Sequence, residues 1–200
     1  MMFSGYLEDL VQNLKKLPGI GKKSAQRLAM FIISMEKESA FQLSETIKKA
    51  VENYRDCSIC NMLTETDPCS FCSDSTRNEK ILCIVENTQD IYLIEETHEF
   101  KGKYFVLQNL LSPLDGIGPD EIHFPKLLKQ LKSNKIEELI LALNPSAEGE
   151  TTMNFLVSEL NEFVGKITRL STGLPFGGDI GYTSSLTLGN ALKRRYAVKE

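Results

Sequence analysis

Residues 17–29 of this chain, Leu17-Pro18-Gly19-Ile20-Gly21-Lys22-Lys23-Ser24-Ala25-Gln26-Arg27-Leu28-Ala29, have the types and spacing to capture a phosphate. They lead from a turn into a helix whose first amides have no intrahelical partner and lie at the positive end of the helix dipole. Gly19 and Gly21 permit positive φ and close approach of an anion to bare backbone. Lys22 adds charge at the helix start, and Lys23 and Arg27 stand four apart, so they project from one face. Such a turn holds a nucleic-acid backbone without reading its bases. The plainer alternative is an αα-hairpin whose glycines only close the turn.

A second set is Cys57-x2-Cys60 and Cys69-x2-Cys72, with Asn61, Asp67 and Pro68 supplying turn chemistry between the pairs. Each x2 spacing brings two thiolates to one ion, and four thiolates complete a tetrahedron, so the reading is one structural Zn²⁺ with no open catalytic position. Two disulfides are the competing explanation, and nothing in the sequence points to secretion. The surrounding residues are polar, so the metal is expected to supply most of the folding free energy there. Cys83, inside Ile81-Leu82-Cys83-Ile84-Val85, reads as a small buried hydrophobe.

The third set is acidic: Glu86 and Asp90 after one apolar run, and Glu148 and Glu150 after another. Carboxylates converging from two strand ends could hold Mg²⁺ for phosphoryl transfer. They could equally be helix N-terminal acids, ahead of a helix starting near Thr152.

The elements that must position these groups follow from periodicity. Leu7, Leu10, Val11 and Leu14 mark a first helix, and Ala25, Leu28, Ala29 and Ile32 the apolar face of a second that packs on it. Beyond Lys80, strands at 81–85, 104–107, 139–143 and 166–170 alternate with helices at 89–98, 119–132 and 152–164. This predicts an α/β fold with a parallel sheet flanked by helices. In such sheets ligands gather at the carboxyl ends of the strands. Gly116-Ile117-Gly118 repeats the first glycine pattern but is followed by Pro119-Asp120-Glu121, so it reads as a structural loop.

Charge is divided unevenly. Residues 1–56 carry nine Lys/Arg against seven Asp/Glu, and the remainder 14 against 20, for an overall net charge of -4. A monomer should therefore grip a polyanion weakly, and several copies would supply avidity. Contact surfaces for such assembly are expected at Phe3, Tyr6 and Leu10 and at Leu174, Phe176, Leu188, Leu192 and Tyr196, the tail being either an arm onto a neighbour or a cap on its own sheet. The start of the chain has no basic region followed by an apolar core, and no stretch of 18 apolar residues occurs. The expectation is a cytoplasmic protein that does not enter a membrane.

In order, LPGIGKKSAQRLA, CxxC-x8-CxxC, ILCIVEN, SPLDGIGP, NPSAEGE and TGLPFGGDIGY resemble the bacterial RecR family of recombination mediators over essentially the whole chain. The resemblance implies a helix-hairpin-helix over 1–55, a four-cysteine zinc finger over 56–76, a Toprim domain over 79–173 and a Walker-B-like tail with a helix over 174–200. It implies DNA contact by Gly19, Gly21, Lys23 and Arg27, zinc ligation by Cys57, Cys60, Cys69 and Cys72, and a Toprim acidic cluster of Glu86, Asp90 and Glu148. It also implies dimers joining into tetramers. The partners it implies are RecO and RecF, with RecA loaded onto single strands at gaps. Two departures stand out: Gln108-Asn109 where a His-Gly pair is usual, and Gly181–Ser185 in place of a more acidic segment. A Toprim enzyme would need an Asp-x-Asp pair after the third strand, where this chain has Asn144-Pro145-Ser146. The expected function is therefore a DNA clamp and mediator without catalysis, against a metal-dependent DNA-processing enzyme or a scaffold that never touches DNA.

Overall fold

A computed structural model describes residues 5–171, 173–174 and 176–197. The chain forms two compact units, 1–54 and 55–200.

In the first unit, α1 (Tyr6–Leu14) and α2 (Lys22–Ser34) form the expected hairpin, followed by α3 (Lys37–Asn53). Val11, Ala25 and Ala29 are buried where α1 meets α2, with Leu7, Leu10, Leu14 and Ile20 packed around them. Two alanines on α2 let the helices approach closely, which explains why the contact is narrower than the apolar spacing predicts. Leu28 remains 39% exposed and Ile32 is only half-buried. Helix α3 was not anticipated, and it has no buried residue.

The second unit begins with a two-stranded ribbon, β1 (Arg55–Asp56) and β2 (Leu63–Thr64), and a single turn of helix, α4 (Ser70–Ser73). A four-stranded parallel sheet follows: β3 (Asn78–Val85), β4 (Gly102–Val106), β5 (Glu138–Ala142) and β6 (Lys166–Arg169), in spatial order β4-β3-β5-β6. Its helices are α5 (Thr88–Glu96), α6 (Phe124–Ser133) and α7 (Ala147–Leu160), and a short α8 (Ser185–Lys193) is the last element. Helix α6 starts later than predicted, because residues 119–123 form a turn that ends with His123 at φ 55°. Helix α7 starts earlier than predicted, capped by the Ser146 hydroxyl, which accepts from the Gly149 amide at 3.0 Å. Glu148 and Glu150 therefore lie inside its first turn, where acids favour the dipole.

The apolar run of β3, residues 81–85, is explained by two buried faces. Leu82 and Ile84 point to one, beneath Leu127 and Leu131 of α6 and Met153, Leu156 and Leu160 of α7. Cys83 and Val85 point to the other, covered by Ile91 of α5 and by Cys57, Cys60, Met62 and Phe71 of the cysteine-rich segment. That segment, expected to lack a core, thus shares one with the sheet. Burial pushes the Cys83 thiol up to about 12, as suits a buried hydrophobe.

The order β4-β3-β5-β6 creates a switch point between β3 and β5, since their outgoing connections run to opposite sides of the sheet. Gly149 fixes the approach of α7 to this point: a Cβ there would lie 1.9 Å from the Asn144 carbonyl oxygen. Gly149→Ala is expected to displace the start of α7 and cost on the order of 1–3 kcal/mol of stability. A drop in urea midpoint with an unchanged m-value measures it.

Candidate functional site

The turn before α2 uses Gly19 at φ 76°, with the Ile20 amide donating to the Leu17 carbonyl at 3.1 Å. Pro18 and Gly19 therefore hold the central positions of a turn that requires positive φ at its third residue. Gly21 does not use positive φ. It is the N-cap of α2 in extended conformation, at φ -78° and ψ 172°. Its contribution is clearance: nothing lies within 4 Å of where its Cβ would be. No side chain caps α2, so its first amides are left to solvent or a ligand. Lys22, Lys23 and Arg27 are exposed and, among the described residues, form no ion pair.

The four cysteines meet as their spacing predicts. The sulfurs of Cys57, Cys60, Cys69 and Cys72 all lie within 4.8 Å of one another, with Cys60 and Cys69 at 3.6 Å. A tetrahedral Zn²⁺ with bonds of about 2.3 Å sets its sulfurs about 3.8 Å apart, so the cluster fits that ion. The chelate turn is fixed by backbone: the Cys57 amide donates to the Met62 carbonyl at 2.8 Å, and Asn61 turns at φ 61°. The Cys69 amide donates to the Cys57 sulfur at 3.4 Å. Crowded together, the thiols oppose one another's ionisation: hydrogen bonds from Cys60 and then Cys72 hold the Cys69 thiol down, while Cys60 and Cys72 are pushed up.

Residues that spacing could not reveal bind this knuckle to the sheet. Strand β4 is an edge strand, and the Val106 amide donates to the Cys60 carbonyl at 2.8 Å while the Asn61 side-chain amide donates back to the Val106 carbonyl at 3.2 Å. Lys126 of α6 donates to the Cys57 carbonyl at 3.1 Å and to the Asn61 side chain. Lys103 donates to the carbonyls of Phe71, Cys72 and Asp74 at 2.8–3.2 Å. The Arg77 guanidinium sits 4.8 Å over the Phe71 ring and pairs with Glu95. Burial would raise the Glu95 carboxyl, but hydrogen bonds from Arg77 and Tyr104 outweigh it and hold the group below its ordinary value. Gln108 clasps three segments. Its amide donates to Asp56 at 2.7 Å and to the Asn61 carbonyl at 3.2 Å, and its oxygen meets His123 Nε2 at 2.8 Å. Among the side chains that make these contacts, Asn61, directly after Cys60, carries a turn signal in the sequence, whereas Lys103, Lys126, Arg77 and Glu95 carry none.

The acidic residues are not all together. Glu86 and Glu148 line one open groove at the switch point, with Asp115, Gln108 and Asn144. Asp90 is not part of that groove. It completes a capping box for α5, accepting from the Asn87 amide at 2.8 Å, and it lines a separate cavity of about 790 Å³. That cavity also contains the bidentate Arg169–Glu150 pair at 2.6 and 3.0 Å, with Leu186 and Asn190 of α8 forming its far wall. Between the strand ends, the Asn144 amide donates to the Glu86 carboxylate at 3.3 Å. Gly116–Gly118 closes a small loop bridged by Ser112 and Ile117, as expected for a structural turn. In the tail, Leu174, Phe176, Leu192 and Tyr196 are exposed and Leu188 is half-buried; Phe3 lies outside the described residues. No helix among the described residues is long and apolar enough to cross a membrane.

Because one missing thiolate breaks a closed site, Cys60→Ser should abolish stoichiometric zinc by elemental analysis. The Val106 amide, which pairs with the knuckle, should then exchange with solvent faster than amides of the inner strands.

Comparison with known proteins agrees with this arrangement segment by segment. The RecR helix-hairpin-helix family matches residues 7–51, the RecR four-cysteine zinc finger domain matches 54–74 and the Toprim domain matches 80–171. The chain is 44% identical over 192 residues to recombination protein RecR of Desulfatibacillum aliphaticivorans, covering 96% of both chains. It is 45% identical over 189 residues to that of Myxococcus xanthus (strain DK1622), covering 94% of this chain and 96% of the relative. With that of Acinetobacter baylyi (strain ATCC 33305 / BD413 / ADP1) the identity is 42% over 198 residues, covering 99% and 100%. The chain, with a helix-hairpin-helix, a four-cysteine zinc finger and a Toprim domain in that order, belongs to the RecR family.

Proposed function

We propose that this protein is a non-enzymatic DNA-binding mediator of recombinational repair, working as an assembly of several copies with RecO and RecF to help load RecA at gaps. The observation that carries the reading is the uncapped start of α2, where Gly21 clears the approach and Lys22, Lys23 and Arg27 stand without an ion-pair partner among the described residues. Backbone amides and point charges suit phosphates and carry no base specificity.

The absence of catalysis rests on Asn144. A metal-dependent reaction at the switch point would want a second carboxylate opposite Glu86. There the chain places an amide, which donates to Glu86 instead of sharing a cation with it. The groove of Glu86, Asp115 and Glu148 is then a negative surface suited to a basic partner protein.

Assembly is supported by α3. Leu43, Ile47 and Val51 recur at four-residue steps on one face, Ile47 58% and Val51 77% exposed, in a 17-residue helix without a buried position. Its charges balance, with Lys37, Lys48 and Lys49 against Glu38, Glu45 and Glu52. An apolar, neutral helix face of this kind suits a second copy of the chain.

The Lys23→Ala/Arg27→Ala double variant should keep the fold, since both residues are exposed. It should lose most binding to gapped DNA in a gel shift, and the slope of log affinity against log salt should fall by about two. Full binding at low salt would defeat the assignment. Ile47→Asp should lower the mass seen by light scattering across a concentration series, and a wild-type monomer at every concentration would exclude the assembly.

A further inference from the structure

Among the exposed side chains of α2 that phosphate capture does not use, one is aromatic. Phe31 is 64% exposed and, among the described residues, stacks on no other ring. It follows Lys23 and Arg27 at four-residue steps, about 6 Å apart along the helix. All three line one shallow surface cavity of about 810 Å³.

Resting on the reading of α2 as a phosphate grip, we propose that Phe31 is a stacking platform for an unpaired nucleobase. Arg27 and Lys23 hold the neighbouring phosphates, so this face prefers single-stranded or gapped DNA to intact duplex. An aromatic ring beside paired cations is how proteins hold unpaired strands without sequence preference, because every base has a π face. A duplex keeps those faces stacked on one another and presents only phosphates to the helix.

Charge decides between this occupant and a second copy of the chain. From Lys22 to Ser34, α2 has three cations and no acid. Two copies meeting through this face would bring four cations together, Lys23 and Arg27 from each, whereas a nucleic-acid strand neutralises them. The balanced charges of α3 set no such barrier, so the two exposed helices suit different occupants.

The chain contains no tryptophan, so Phe31→Trp installs a single fluorescent reporter. Titration with an oligothymidine should quench it strongly and a blunt duplex of equal length only weakly. Phe31→Ala should lower the ratio of single-strand to duplex affinity about tenfold, and Phe31→Leu, apolar but without a ring, should do nearly the same. Light scattering on these variants should give the wild-type mass. Equal loss on both DNAs, no quenching, or an unchanged ratio would overturn the platform while leaving the phosphate grip standing. A variant that falls to a smaller assembly would make Phe31 a self-contact and also overturn it. If the wild-type protein bound neither DNA, the grip itself would fail and the platform with it.

Discussion

Four sulfur atoms within 4.8 Å of one another cannot all carry charge unless a cation lies among them, and much of the second unit is built around that constraint. The knuckle that presents Cys57 and Cys60 also supplies the carbonyl that pairs with the Val106 amide. It therefore ends the sheet at β4, where an open edge would otherwise invite pairing with another chain. The same segment covers the face of β3 that α6 and α7 do not reach. Zinc ligation, edge closure and core packing are three demands on one short segment. The lysines from β4 and α6 that hold the knuckle's carbonyls show how closely the finger is integrated with the sheet.

The switch point between β3 and β5 is where such a sheet offers a ligand site. Here its chemistry is altered by a neutral side chain. Asn144 satisfies one oxygen of Glu86, and Gly149 lets α7 begin directly behind it. Ser146, which occupies the second position of the expected acidic pair, is used as a helix cap. The groove keeps its acidic character at Glu148 and Asp115, both exposed. Acids that face water are available to a basic surface at small desolvation cost, even where, as at Asp115, a neighbouring Ser112 hydroxyl donates to the carboxylate.

Signals that are local in the chain were legible in the sequence. The x2 cysteine spacing, the Pro-Gly turn before α2 and the alternation of apolar runs with helical periods each depend on neighbours within a few residues, and the structure contains the elements they predict. What was hidden depends on partners distant in sequence. Gln108 meets Asp56 and His123, and Lys126 meets Cys57, and no spacing rule links such positions. Helix ends were misplaced for a related reason: Ser146 and Glu148 read as loop until the strand end and Gly149 fix where α7 can start. Helix α3 escaped because its apolar residues have no partner within their own unit's core.

The two exposed helices of the first unit divide labour by charge on the proposed reading. Helix α2 gathers three cations without an acid, in a protein whose net charge is -4. A few phosphate contacts per chain give weak, strongly salt-dependent binding, and adding cations across the surface would be the direct way to strengthen it. Such a surface would conflict with the acidic groove at the switch point and with any basic partner that groove receives. Multiplying copies avoids the conflict, because linked sites gain affinity through effective concentration without a new contact in any one chain. That route requires an association surface that does not consume the cations. A neutral apolar stripe on α3, next in sequence to the basic helix but distinct from it, meets the requirement.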